Sequence, residues 1–284
     1  MPVELVVGDC RENASLQQAV QDVDQVFHLA GATMAVKETI FFEVNGLGTQ
    51  NLVQACIENK TCLEKFIYLS SQAAAGPCPS GGKKKESDPC EPVSPYGKSK
   101  LLGEELALSH AHELPLLILR PCAVYGPRDK GFLTLFQCLA KNINPCLSGP
   151  EQQISLCYVE DLVRAILLAA ESQAKSGEIF FLSDGHDYRM GEIGDIFAQA
   201  MAKRVLKLRL PQQLLFGLAF CAECFARVTG KPSIMSRGKV REMRCTNWLC
   251  DIAKARTILG FEPRIALAQG AASTVAWYRK EQWL

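Results

Sequence analysis

Tyr96 and Lys100, in the segment PYGKSK (Pro95 to Lys100), stand four residues apart. On a helix that spacing brings both side chains to one face. A phenol with an unperturbed pKa of about 10 is a poor acid or base at neutral pH, but an ammonium fixed beside it favours the phenolate and brings it towards the working range. The pair is therefore suited to moving a proton onto or off a substrate oxygen. About 25 residues earlier the apolar run KFIYLSS (Lys65 to Ser71) ends in two serines. A serine at the carboxyl end of a strand can hydrogen-bond the same carbonyl or alcohol oxygen. Each feature also has an ordinary reading, since Tyr and Lys at helical spacing are common and Ser71 by itself equally serves as a strand-end cap.

To meet, these residues need strands alternating with helices, and the chain supplies them. Val3 to Val7 (VELVV) reads as a strand closed by Gly8-Asp9, Ser15 to Val20 as a helix with an Asn13 or Ser15 cap, and Asp24 to Ala30 (DQVFHLA) as the next strand. The segment VNGLGTQNLVQACIEN is helical, with Val44, Leu47, Leu52, Val53, Ala55 and Cys56 as its apolar face. Lys65 to Ser71 is a buried strand, and Gly76 to Pro95, with five prolines, is a long loop. A helix over 96–112, a strand over 116–120 and a helix over 132–142 follow. ISLCYVEDLVRAILLAAES is a strand turning into a capped helix, EIFFLSD is another strand, and the remainder is mostly helical. The expected class is α/β, a doubly wound parallel sheet. Residues 1–150 form the sheet domain and 151–284 a smaller, mostly helical region, some of whose strands and helices return to the first. No internal repeat or low-complexity tract is present.

With 284 residues, 48% of them hydrophobic, the chain is long enough for a large core. Its 31 basic and 30 acidic residues leave a net charge of +1, which gives no electrostatic case for nucleic acid. The only basic run, Lys83 to Lys85, is expected in a solvated loop. The N-terminus has no basic region followed by a sustained apolar one, so a secretory signal is not expected and the cytoplasm is. The 13 cysteines are scattered through apolar segments, which fits reduced, buried thiols. Cys221 and Cys224 form a lone CxxC without further zinc ligands nearby, and are expected one helical turn apart in a packed face; no metal is expected. The run around them, Leu214 to Val228, is too short to span a bilayer. Two readings stay open: a buried helix of a small domain, or an interfacial helix in peripheral contact with a membrane or an oily substrate.

Taken in order, Asp9 after a strand, HLAGA (28–32), VNGLGTQN (44–51), YLSS (68–71), PYGKSK (95–100), LRPCAVYGP (119–127) and YVEDLVRA (158–165) resemble the signature of the extended short-chain dehydrogenase/reductases. That family includes nucleotide-sugar epimerases and dehydratases, dihydroflavonol-type reductases and 3β-hydroxysteroid dehydrogenases. The resemblance implies a Rossmann-like fold and NAD or NADP as cofactor. It makes Tyr96 the general acid/base, Lys100 the group that lowers its pKa and holds the nicotinamide ribose, Ser71 the polariser of the reacting oxygen, and Asn45 a support for the proton relay. Asp9 would face the adenine, Leu29, Ala30 and Gly31 would pass along the ribose and phosphates, and Pro121 to Val124 would pack near the nicotinamide carboxamide. Tyr125, Gly126 and Arg128 would line the approach to the substrate. The helices at 44–58 and 96–112 match those that pair in homodimers of relatives. Ordinary readings again compete: Asp9 as a turn residue, Gly31 as a backbone necessity, Arg120 as a strand-end charge paired to a carboxylate.

The sequence departs from this pattern at one place. Family members begin with a strand, a GxxGxxG turn, a helix and a second strand; here the first residues already correspond to the third strand, and the sheet is expected to lack its first two. That turn carries backbone N–H groups and a helix N-terminus to the pyrophosphate, so weak cofactor affinity and poor activity are expected of this polypeptide alone. The substrate is a hydroxy or keto compound, through hydride transfer, or a nucleotide sugar, through the same half-reaction reversed by an epimerase or dehydratase. For the latter, Arg204, Lys207, Arg209, Arg237, Lys239, Arg241 and Arg244 are candidate anion ligands. A noncatalytic dinucleotide-fold scaffold is the reading of a different class.

Overall fold

Successive side chains of a strand point to opposite faces, and in KFIYL and LLIL this alternation sorts the core into two layers. Phe66, Tyr68, Leu116 and Ile118 pack with Leu16, Leu52, Val53 and Ala107 on one side. Ile67, Leu117 and Leu119 pack with Ala165, Ile166, Ala169, Phe180 and Leu182 on the other. A continuous apolar run needs both faces covered, which is the situation of a parallel sheet between helices.

The computed structural model describes residues 3–59, 63–79, 81–233 and 235–284; Cys62 and Ser80 lie outside the described residues. In chain order come α1 (Asn13–Ala19), β1 (Gln25–His28), α2 (Glu38–Phe41), a π-helical turn (Phe42–Leu47) running into α3 (Gly48–Glu58), β2 (Lys65–Leu69), α4 (Gln72–Ala75), α5 (Pro95–Leu108) and β3 (Leu116–Pro121). Then follow β4 (Ala123–Tyr125), α6 (Leu133–Ala140), β5 (Ile143–Leu147), β6 (Gln153–Ile154), β7 (Leu156–Tyr158), α7 (Val159–Glu171) and β8 (Glu178–Leu182). The last stretch holds β9 (Tyr188–Arg189), α8 (Met190–Ala200), β10 (Leu206–Leu210), α9 (Gln212–Thr229), α10 (Arg237–Arg244), β11 (Asn247–Trp248), a second π-helical turn (Ala255–Leu259) and α11 (Leu267–Lys280).

Strands β1, β2, β3 and β8 form an all-parallel sheet in that order. Residues of α1, α3 and α5 cover one face and those of α7 the other, which is the expected Rossmann-like arrangement. Although they follow residue 150, α7 and β8 thus belong to the sheet. A second core gathers Phe136, Ile193, Phe197, Leu267, Val275 and Tyr278 from α6, α8 and α11, with Phe136 stacked on Phe197 at 4.4 Å. Asp161, from the YVEDLVRA motif, is buried and accepts hydrogen bonds from the Arg264 and Ile265 amides at 3.1 Å. It fixes the entry to α11.

Several expectations are corrected. VELVV forms no strand: Val3, Leu5 and Val7 are exposed and no ladder is present, because a lone extended segment has no partner for its backbone groups. Helix α1 starts after Glu12 rather than on an Asn13 or Ser15 cap, and Ser15 Oγ instead accepts from the Asp9 amide. Leu47 is half exposed, since the extra residue of the π-helical turn rotates Asn45 and Gly46 inward in its place. Lys84 is buried, its loop held by backbone hydrogen bonds to Leu249 and Asp251, so the basic run is not wholly solvated. Finally, α9 is not a buried helix: Leu214, Leu218, Phe220, Phe225 and Val228 are exposed, and so are Cys221 and Cys224. Its buried residues are Leu215, Ala219 and Ala226.

Candidate active site

The loop between β2 and α5 and the start of α5 place the tyrosine. Ser94 caps α5, its Oγ accepting from the Gly97 amide at 3.0 Å, with Pro95 in the first turn where no amide is needed. The Ser94 hydroxyl also donates to Glu242 Oε1 at 2.5 Å, tying the helix to α10. Two glycines let α5 approach its neighbours. A Cβ on Gly97 would lie 2.3 Å from the Ala73 carbonyl oxygen, and one on Gly103 2.3 Å from that of Asn45. No larger residue fits either contact.

Asn45 locks the loop after β1 onto this helix. Its Oδ1 accepts from the Ala32 amide at 2.7 Å, and its Nδ2 donates to the Ala32 carbonyl at 3.0 Å and to Ser99 Oγ at 2.9 Å. Ser99 in turn donates to the Tyr96 carbonyl at 2.7 Å. The chain Ala32–Asn45–Ser99–Tyr96 fixes the start of α5 against the carboxyl end of β1. Gly31 sits in the angle: a Cβ there would be 3.0 Å from Asn45 Oδ1 and 3.1 Å from Lys100 Nζ.

Tyr96 is half-buried, close to Ser71 and set edge-on to Phe41 at 6.1 Å. Burial pushes its phenol up to about 12, opposed by the nearby Ser71 hydroxyl. Ser71 also caps α4, accepting from the Ala73 amide at 3.1 Å. Lys100 is buried, donates to the Leu69 carbonyl at 2.9 Å, and lies 5.0 Å from the centroid of Tyr68. Burial brings it down to about 8, opposed by the Glu104 carboxylate. The expectation that the ammonium lowers the phenol is therefore corrected for this chain alone, where desolvation of both groups dominates.

This burial has a measurable consequence. An amine at about 10.5 when unfolded and about 8 when folded penalises the native state fully below pH 8, and the penalty fades as pH rises through 8 to 10.5, where only the unfolded chain still binds the proton. Relative to Lys100→Met, the native chain should gain about 3 kcal/mol of unfolding free energy across that window. Denaturant titrations of both proteins at pH 7 and 10.5 measure it, and a constant difference would contradict it.

In front of Tyr96 lies a cleft of about 100 Å³. One wall is Thr33 to Val36, Glu38 and Phe41; the other comes from α9 and α10, with Glu223, Arg227, Arg237, Lys239 and Glu242. Arg237 is bound to Glu223 at 2.7 Å and Lys239 to Glu242 at 3.0 Å. Arg227 has no ion pair among the described residues.

The other expected site residues fall as follows. Leu29, Ala30 and Gly31 are exposed just past the carboxyl end of β1. Asp9 is held to Arg11 by side-chain and backbone hydrogen bonds, which bring its carboxyl down to about 2. Pro121 and Val124, at the end of β3 and in β4, stand outside the lining of the Tyr96 cleft, with Val124 packed on the sheet core. Tyr125 does not line an approach but is buried in the second core, its hydroxyl without a hydrogen-bond partner. His28, from HLAGA, is buried, bonded to Thr49 at 2.9 Å and brought down to about 3 by burial, a neutral structural group. Arg120 is paired with Glu104, its ordinary reading. Ser99, Ser94 and Glu242 were not singled out from the sequence. The Ser94-Pro95 pair is a helix-start signal that could have located the first contact of α5, but Glu242, 148 residues further on, leaves none.

A bound dinucleotide supplies the hydride donor or acceptor, and the residues present fit its nicotinamide-ribose half. Lys100 spends one N–H on Leu69 and keeps others free, and Ser70 Oγ is buried without a partner at the carboxyl end of β2. For the pyrophosphate half, the 284 residues contain no GxxGxxG turn. A parallel sheet with Ser71, Tyr96 and Lys100 gathered at its carboxyl edge defines an enzyme of the extended short-chain dehydrogenase/reductase class. The chain belongs to the NAD dependent epimerase/dehydratase family, which matches residues 2–183. It is 29% identical to the ceramide reductase of Caulobacter vibrioides (strain NA1000 / CB15N), over 100% of this chain and 83% of that protein. It is 26% identical to the N-acetyl-alpha-D-glucosaminyl-diphospho-ditrans,octacis-undecaprenol 4-epimerase of Escherichia coli O157:H7, over 95% and 82%. Among solved structures it is similar to MoeE5 in complex with UDP-glucuronic acid and NAD, at 25% identity and a TM-score of 0.75, covering 96% of this chain and 85% of that one.

Proposed function

We propose that this protein transfers a hydride between NAD(P) and a secondary alcohol or ketone, with Tyr96 moving the proton at the substrate oxygen. The observation that carries the reading is Tyr96 itself, exposed to a cleft and close to Ser71, at a helix start that Asn45 and Ser99 hold and one turn before Lys100. Ser71 orients the reacting oxygen and shares its hydrogen bond. Tyr96 gives or takes the proton. Lys100, held by Leu69, offers its free N–H groups to the ribose side.

The named relatives include a reductase and a 4-epimerase, so they support NAD-dependent chemistry without choosing the reaction. The cleft favours the alcohol or ketone. A sugar nucleotide brings a diphosphate, which calls for several free cations, and here Arg237 and Lys239 are already paired while Arg227 alone is open. Of the other basic candidates, none of which lines the cleft, Lys207 is bound to Asp195 and Arg244 to Gln212, while Arg204, Arg209 and Arg241 have no ion pair among the described residues.

The test is to incubate the protein with oxidised NAD or NADP and a panel of secondary alcohols, and with UDP-sugars, following reduced dinucleotide and product together. Reduced dinucleotide accumulating in step with ketone is the expected result. Sugar interconversion with no net reduced dinucleotide makes it an epimerase, and binding without either product makes it a noncatalytic dinucleotide protein.

A further inference from the structure

Helix α9 divides its residues by face. At 3.6 residues per turn, Leu214, Leu218, Cys221, Phe225 and Val228 fall on one stripe, and all are exposed, Phe225 by 70% and Val228 by 87%. On the opposite side Leu215 and Ala219 seat the helix against Val240 of α10. The only charged residues of α9, Glu223 and Arg227, face the Tyr96 cleft. A surface helix ordinarily turns a row of charges to water; on this one the exposed stripe carries none, and Arg227 is exposed on the cleft side.

The surroundings are basic. From Lys203 to Arg244 the chain carries ten basic and two acidic residues, leaving 21 basic against 28 acidic in the rest of the molecule. Arg209 precedes α9, Lys231 follows it, and Arg241 and Arg244 stand on α10, which packs against it. Arg244 lies over the ring of Phe216 at 5.4 Å. A bare apolar stripe on a segment this rich in cations complements an apolar interior beneath an anionic surface. A second copy of this chain fits poorly, because a two-fold contact would set the same basic segment against itself. No helix among the described residues is long and apolar enough to cross a membrane, so a helix of this kind lies in the interface.

We propose that α9 docks the protein on an anionic bilayer, with Leu214, Leu218, Phe225 and Val228 among the acyl chains and the neighbouring arginines and lysines on the head groups. This docking stands independently of the reaction at Tyr96.

Sedimentation with vesicles of phosphatidylcholine alone, and of phosphatidylcholine with phosphatidylglycerol, tests it, beside the variant Leu218→Asp/Phe225→Asp. Both side chains are exposed, so the variant should keep its melting temperature. The full chain should bind the anionic vesicles, more weakly at high salt, and the variant should bind at least about tenfold less. Equal binding by chain and variant, or binding to neither vesicle, would overturn the proposal. So would a dimer in solution that the variant dissociates while neither form binds vesicles, since α9 is then a contact between copies.

Discussion

Tyr96→Phe should lower turnover by about 10²- to 10⁴-fold, the usual contribution of a positioned acid or base, while leaving the fold intact. Phe41 meets the ring of residue 96 edge-on and loses nothing by the change, and Ser71 keeps its bond to the Ala73 amide. Dinucleotide binding should survive, because Lys100 and its tie to Leu69 are untouched. The pH profile carries the sharper signature. With the phenol pushed up to about 12, the protonated form dominates at neutral pH, so ketone reduction has its donor ready and should be nearly flat with pH. Alcohol oxidation draws on the phenolate, whose population rises tenfold per pH unit below that value, and should climb accordingly. The phenylalanine variant should lose this slope. Residual activity within a few-fold of the native protein, with the slope retained, would remove Tyr96 from its role.

What the sequence disclosed follows the range over which each signal acts. The sheet was legible because strands such as KFIYL and LLILR are buried on both faces, and continuous apolar runs between turn residues survive any tertiary context. Tyr96, Lys100 and Ser71 were legible as a motif. The structure adds the contacts that hold them: Asn45 to Ser99, Gly31 against Lys100, Ser94 to Glu242. All three join residues 54 to 148 positions apart, and no local pattern encodes them. The misreadings have physical causes too. VELVV has strand composition but no partner, and the π-helical turn carries Leu47 outward against a regular periodicity. The apolar composition of α9 suggested burial because hydrophobicity reports only that a surface avoids water, not what covers it. The raised phenol and lowered amine were hidden for the same reason, since desolvation belongs to the folded surroundings and not to the four-residue spacing.

Glu104→Leu should destabilise the protein by about 3–5 kcal/mol, and Arg120→Met by a similar amount, whereas the double variant should recover to within about 1 kcal/mol of the native chain or exceed it. Arg120 is 2% exposed and lies at the end of β3, donating to Glu104 through Nε at 2.9 Å and Nη2 at 2.5 Å, with its guanidinium 5.5 Å from the Phe181 centroid. Its Nη1 already has no partner. Removing the carboxylate therefore leaves a buried cation with only Cys90 Sγ and the Phe181 ring against its lost hydration, which is the source of the large single-variant cost; an apolar pair of similar volume removes both the attraction and the penalty. Denaturant unfolding of all four proteins gives the coupling, and additive single effects would show that the two residues do not act as a pair. The same variants separate stability from positioning. Glu104 stands one turn beyond Lys100 on α5, and its carboxylate favours the charged amine. Without it Lys100 should titrate below about 8, so both Glu104→Leu and the double variant should shift the pH dependence of dinucleotide binding downward even where stability has been restored. The ion pair is then a tether for α5 that also sets the charge of the lysine it carries.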